Sequence, residues 1–341
     1  MDKTKQQGAA KDFWTFFKSF FSFYKLTKER RENAQKPKDL RTWLIHGVSE
    51  YIGTILLSLA LAGLSIYVGK EVIEEYLLHP IIVGFYAGFV AVGLVLFIFL
   101  RWSCDLNPSV SLFRYLNGTN NGYYTIYKIV IQFLGGITAG FIIYGIGHAT
   151  SGVGIENSPI DALGAAKKAF STTTNHSSLT AGVAWIVFVE LVMTGVLLFP
   201  IFSPNINNKY RDLFIMFIIS MSVWMGLLGG TAAINPARGL AQQIPALVFH
   251  NSGGHAFNAI ASANPDLGFG IPGDSLTKYA NEEYFKGVVL GTAAMLIADL
   301  LAPVFYIFVQ GLTQNLVNPL VVKIINYKNY KSQNMTTSKN D

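Results

Sequence analysis

The chain has 341 residues, 51% of them hydrophobic and only 13% charged, with a mean hydropathy of +0.37. That is too apolar for an ordinary soluble domain and fits a multi-span membrane protein with short tails. The formal net charge of +6 does not call for a nucleic-acid partner, because eleven of the 26 Lys and Arg precede Trp43 and four follow Val322, where they read as a positive-inside signal flanking a membrane domain.

Residues 1–41 mix bases with an aromatic cluster of Phe13, Trp14, Phe16, Phe17, Phe20, Phe21, Phe23 and Tyr24. Phe13, Phe17, Phe20 and Tyr24 keep helical spacing, and Lys11, Lys18 and Lys25 can reach anionic headgroups, as in a helix lying on the inner leaflet. A gate at the cytoplasmic mouth is the sharper alternative. The same lysines and Lys28 break up the apolar residues, and no cleavage pattern follows, so no signal peptide is expected. Cys104 is the only cysteine, which rules out an intramolecular disulfide and leaves the compartment unread.

Six spans are predicted at roughly Thr42 to Val68, Pro80 to Trp102, Gly122 to Gly147, Leu179 to Phe202, Asp212 to Gly229 and Phe285 to Thr313. The membrane domain thus covers 42–321, and the Asn-, Lys-, Ser- and Thr-rich residues 322–341 read as a disordered cytoplasmic tail. The loops alternate in basic content: twenty Lys and Arg on one side, with Lys128 counted at the mouth of span three, and five on the other, with Arg238 set aside. Both termini are therefore expected inside. The long outer loops Ala149 to Ser178 and His250 to Tyr284 are either vestibules or tolerated insertions. Asn175-His176-Ser177 on the outer side is a glycosylation acceptor triplet.

Two short stretches stand apart from the spans. Asn107-Pro108-Ser109 and Asn235-Pro236-Ala237-Arg238 each follow an apolar run, and a polar cap followed by Pro marks a helix start. Neither continuation reaches the ~20 apolar residues a crossing needs, so each reads as a re-entrant half-helix. An internal repeat links them: Glu50-x-x-x-Thr54 in span one matches Glu190-x-x-x-Thr194 in span four, and Leu134-Gly135 in span three is paired with Leu290-Gly291 in span six. Three spans per half invert the second half, so the half-helices enter from opposite faces and meet near the midplane.

From Trp43 to Leu320 the chain resembles the aquaporin and aquaglyceroporin family, whose signature is two Asn-Pro-Ala boxes with an Arg closing the second. The expected fold is all-α, with six transmembrane helices, two half-helices and an inverted 3+3 repeat. Each half-helix end carries about half a positive charge, which repels cations where the two meet. Asn107 and Asn235 are expected to cap their half-helices and to turn their amide N–H₂ groups toward passing water or alcohol. Glu50 and Glu190 are acids inside apolar spans and are expected to accept the free N–H groups before each half-helix, with proton relay as the competing reading.

The family's filter positions, carried over by offset, fall on Ala87, Val223 and Ala232 beside Arg238. Small apolar residues there imply a wide filter and passage of glycerol and water; a water-selective channel is the alternative within the class, and a secondary transporter the alternative outside it. Gly239 stands where glycerol facilitators usually have Asp, which weakens assignment to that subgroup. Asp105, where the family has His, is expected to pair with Arg101 or cap a backbone N–H. Asp299 in span six has no place in this scheme. Cys104 is either a small core residue or a lumen thiol open to mercurials. His46, His79, His148, His176, His250 and His255 show no metal-ligand spacing, no catalytic set recurs, and neither a cofactor nor a metal is expected. The resemblance further implies a homotetramer among membrane lipids, in the cell membrane.

Overall fold

The computed structural model describes residues 13–21, 27–62, 80–151, 159–170, 178–249 and 273–337. Among these, five helices are long and apolar enough to cross a membrane: Leu40–Ala62, Ile82–Phe99, Gly122–Gly147, Leu179–Phe202 and the apolar part of a longer helix, Glu282–Lys331. A sixth, Asn208–Gly229, opens on Lys209, Arg211 and Asp212 before its apolar run. In chain order these six are spans one to six, with Asn208–Gly229 as span five. Pro108–Leu116 and Pro236–Phe249 are the half-helices, here A and B.

The helices pack in two related sets. Span one lies on span three, span four on span six, and spans two and five face each other. Half-helix A wedges between spans three and six, half-helix B between the same two spans and span one. Glycine permits a close approach of span three to half-helix B: a Cβ on Gly136 would lie 2.2 Å from the Ala237 carbonyl oxygen. Gly230 ends span five in the left-handed conformation, φ 80°, which glycine adopts without a Cβ penalty.

The repeat differs from the Leu-Gly pairing. Gly135 faces Thr54 of span one, whereas Gly291 faces the Ile160 carbonyl in the loop between spans three and four. Packing instead relates Gln132, which bonds Ser111, to Met295, whose sulfur sits against Gly239. It likewise relates Gly136 at Ala237 to Asp299, whose carbonyl accepts from Ser109 Oγ at 2.7 Å. Span six is displaced by two helical turns from the sequence pairing, and a slip of about 7.2 residues returns every side chain to the same face. Periodicity alone is blind to it.

Span two is not a uniform helix. Pro80–Phe85 and Gly93–Phe99 are α-helical, and Tyr86–Val92 between them is a π-helix. The tail also departs from expectation. Span six runs through a π stretch, Thr313–Val317, into the helix Asn318–Thr337, so the residues read as disordered are helical as far as Thr337. Pro319 follows directly on the π stretch, and exposed Val321, Val322, Ile324 and Ile325 carry the helix on.

The aromatic N-terminal segment seats on span six. The Phe17, Phe20 and Phe21 rings surround Phe308 at 6.4, 5.8 and 5.4 Å, Asn315 donates to the Ser19 carbonyl at 2.9 Å, and Phe20 is buried. Phe13, Trp14 and Phe16 stay exposed. Tyr24 lies outside the described residues, as do Asn175, His176 and Ser177. On the opposite face, the helix Ala162–Phe170 is capped by Asp161, which accepts from Leu163 N and Gly164 N. Gln243 of half-helix B holds the backbone of Ile160 through both its amide atoms, at 2.7 and 2.9 Å. This part of the loop between spans three and four is therefore fastened to half-helix B rather than a free insertion.

Candidate functional site

Each half-helix begins at its Asn. Asn107 Oδ1 accepts from Ser109 N at 2.9 Å, and Asn235 Oδ1 from Ala237 N at 3.0 Å and Arg238 N at 3.2 Å. Proline follows both, so one donor that would need a partner is missing. The residue before each Asn is left-handed: Leu106 at φ 50° and Ile234 at φ 48°. That conformation costs about 1–2 kcal/mol for a residue with a Cβ, and a β-branched Ile is an outlier there.

Two sets of bonds hold these strained turns. Glu50 accepts from Asp105 N at 3.0 Å and Leu106 N at 2.8 Å; Glu190 accepts from Ala233 N at 2.9 Å and Ile234 N at 2.8 Å. The carbonyls then pair across the halves, Leu106 O accepting from Asn235 Nδ2 at 2.7 Å and Ile234 O from Asn107 Nδ2 at 2.9 Å. Each strained residue thus gives its N–H to the glutamate of its own half and its C=O to the asparagine of the other. The amides do not turn wholly toward the lumen: one hydrogen of each N–H₂ is committed to this cross-brace, leaving one.

The surroundings of the two glutamates differ. Around Glu50 stand Ser103 Oγ at 2.6 Å, Gln132 Nε2 at 2.8 Å and Lys128 Nζ at 3.2 Å. Lys128 also reaches Asp105 at 2.5 Å, and Asp105 takes Arg114 Nε at 2.7 Å and Ser111 Oγ at 3.0 Å. Asp105 therefore pairs with Arg114 and Lys128, not with Arg101, whose guanidinium lies over the Trp102 ring. Lys128 is buried, so it is a structural cation rather than a charge at the mouth of span three. Its neighbour Tyr124 meets His46 Nδ1 at 2.7 Å. Around Glu190 the side-chain donor is Thr231. Asp299 Oδ1 accepts from Thr194 at 2.6 Å, and its charged neighbours are Glu190 and Arg238. Sequence reasoning placed Lys128 at the mouth of span three and passed over Gln132 and Arg114 as site residues; the i, i+4 spacing of Lys128 and Gln132 on one face of an apolar span was the available signal.

A cavity of about 190 Å³ runs between the halves. Asn107, Asn235 and Arg238 line it, as do Cys104, Asp105 and Arg114, and Leu57, Val92, Val95, Leu197 and Ile219 supply aliphatic wall. Ala87 and Val223 lie together in the buried cluster that contains Ile234. Arg238 Nη1 donates to the Ala232 carbonyl at 3.3 Å, while its buried Nε has no protein acceptor among the described residues. Described residues of the N-terminal segment do not line the cavity.

Residues 38–261 match the family described as Major intrinsic protein. The chain is 28% identical over 229 residues to Aquaporin-3 of Milnesium tardigradum, an alignment covering 60% of this chain and 69% of that protein. Its fold is similar to the X-ray structure of the aquaglyceroporin from Plasmodium falciparum, with a TM-score of 0.51 at 15% identity, over 82% of this chain and 98% of that one. Helices that must lie in a bilayer, two half-helices meeting inside them and a match over most of the apolar region agree: the chain belongs to the major intrinsic protein family, whose members are integral multi-pass membrane channels for small solutes and not enzymes.

Proposed function

We propose that this channel passes glycerol and water. The observation that carries the reading is the mixed lining of the cavity. A few donors, the free hydrogens of Asn107 and Asn235 and the unpaired Nε of Arg238, share it with aliphatic Leu57, Val92, Val95, Leu197 and Ile219. A polyol needs both, acceptor-seeking donors for its hydroxyl oxygens and apolar contact for its carbons, and buried donors left unpaired would be costly without such a guest. The two half-helix dipoles and Arg238 disfavour cations. The bias of basic residues supports cytoplasmic termini, and the family resemblance supports a homotetramer in the cell membrane.

Ala87, Val223, Ala232 and Arg238 are the filter in this reading. The π stretch bears on the first of them, because counting residues back from Asn107 through a π-helix does not separate Ala87 from Tyr86. The π turns leave Ala87 nearer than Tyr86 to the face of Val92, which lines the cavity with Leu96 and Leu100, while Ala87 itself lies with Val223 in the adjoining buried cluster. Stopped-flow light scattering on proteoliposomes tests the whole reading. The parent should pass both solutes, and Ala87→Trp or Ala232→Phe should cut glycerol permeability about tenfold, ~1.4 kcal/mol, with a much smaller effect on water. A parent that passes water but no glycerol makes this a water-selective channel, and uptake driven by a proton gradient makes it a transporter. If Tyr86→Ala raises glycerol permeability while Ala87→Trp does nothing, the filter belongs one residue earlier.

A further inference from the structure

We propose that Arg114 is a second solute-contacting guanidinium, aimed by Asp105, at the end of the cavity remote from Arg238; this rests on the neutral-solute channel reading. Arg114 stands in the last turn of half-helix A. Its Nε is spent on Asp105 Oδ1 at 2.7 Å, and its guanidinium lies over the Phe202 ring at 5.3 Å. Its Nη1 and Nη2 have no protein acceptor among the described residues, its side chain keeps 34% of its surface, and it lines the cavity. Asp105 is the reverse case: 3% exposed, with both oxygens occupied by Arg114, Lys128 and Ser111. The carboxylate therefore serves the guanidinium rather than the solute.

The neighbouring Arg211 also lines the cavity, but its nitrogens are taken by the carbonyls of Pro200, Ile201, Ser203 and Ile206 and by Asn208 Oδ1. It ties down the end of span four. A merely structural Arg114, placed to favour the negative end of its half-helix, would not need to line the cavity with its Nη groups left without a protein acceptor among the described residues. Charge balance points to the kind of guest. Glu50 and Asp105 are matched by Lys128 and Arg114, so this end of the passage offers donors without net charge, which suits a neutral hydroxylated solute better than an ion. In the second half the positions related by the two box asparagines are Ala233 and Gln242, so the station occurs once.

The test compares glycerol and water permeability of the full chain in proteoliposomes. Arg114→Met should lower glycerol permeability about tenfold, the effect of one lost charge-assisted hydrogen bond, and raise the glycerol concentration that half-saturates flux, with water permeability within about twofold. Asp105→Asn should shift the same two quantities, and the double variant should add nothing to the worse single one, because a positioning residue acts only through the residue it positions. Arg114→Lys should recover part of the loss. Arg114→Met leaves Asp105 with Lys128 and Ser111, so it carries the test even if Asp105→Asn folds poorly. A parent that passes glycerol, with Arg114→Met changing both fluxes equally or neither, overturns this proposal alone; a parent that passes no glycerol overturns it together with the function proposed above.

Discussion

The two halves solve the same problem with different chemistry. Both must hold a left-handed residue before a half-helix, and both use a glutamate on the first span of the half to accept two backbone N–H groups. In the first half that glutamate sits inside a charge network with Lys128, Asp105 and Arg114. In the second, hydroxyls donate to the acids, Thr231 to Glu190 and Thr194 to Asp299, and the two carboxyls lie beside each other with Arg238 as their charged neighbour. The difference teaches that the backbone demand can be met without a lysine beside the glutamate, and leaves the Lys128 and Arg114 pairs of the first half for something further, which the proposed station at Arg114 would explain.

Breaking the network at its centre should have the largest effect. Lys128→Met leaves Glu50 and Asp105 buried without their shared cation, and uncompensated buried charge typically costs about 3–5 kcal/mol. Yield of folded protein by size exclusion in detergent should collapse. The double variant Lys128→Met with Asp105→Asn should recover part of it, since one negative charge leaves with the positive one. No recovery would mean that Lys128 acts through packing of its stem.

Next come the glutamates themselves. A Gln cannot accept from both N–H groups without turning a donor toward one of them, so each substitution orphans a buried hydrogen bond to a charged acceptor, about 1.5–3 kcal/mol. Glu50→Gln also leaves the first-half network with an excess positive charge, whereas Glu190→Gln removes a charge beside Asp299. Thermal unfolding in detergent should therefore show Glu50→Gln as the more damaging of the two. The opposite order would mean that the asymmetry between the halves has no energetic weight.

How much of this could be read beforehand follows the same division. The Asn-Pro pairs announce helix starts by local chemistry, and an acid within an apolar span demands a partner, so both half-helices and both glutamates stand out in the chain. What escaped depends on contacts remote in sequence. The Asn107 amide finds Ile234 O across 127 residues, and nothing near Asn107 announces it. The two-turn displacement of span six hides behind helical periodicity. The π stretch in span two leaves only glycines as a trace, and Lys128 was misplaced because a lysine near a span end is normally a headgroup contact. The helical tail escaped because its polar composition outweighed the apolar residues in its first two turns.

Cys104 gives a smaller and cleaner test of the first half. It is partly buried, packs against the aliphatic wall and lines the cavity. Mercuric ion should inhibit flux, Cys104→Ser should abolish the inhibition, and a membrane-impermeant thiol reagent should act faster from the face bearing the chain ends. With no second cysteine in the sequence, an insensitive parent would place this thiol beyond reach of the solute path.

The smallest effect is expected where an ionised group sits in water, outside the spans. Asp39 caps span one: its Oδ1 accepts from Thr42 N at 2.9 Å and its Oδ2 from Thr42 Oγ1 at 2.8 Å. The backbone bond first, and the hydroxyl second, hold its carboxyl below the usual aspartate range. A carboxyl with a depressed folded-state pKa contributes stability that is fully present above the unfolded value, about 3.9, and is lost as pH falls through the folded one. The parent should therefore lose a little thermal stability on acidification below about pH 4 that Asp39→Asn, still an effective cap, does not lose. Salt separates this group from the buried network: the Asp39 increment should shrink as ionic strength rises, while the deficit of Lys128→Met should not, because screening reaches only charges in contact with water. A salt-sensitive Lys128→Met would put that lysine in the aqueous path and undo the contrast between a charge that merely caps a helix and charges that organise a pore.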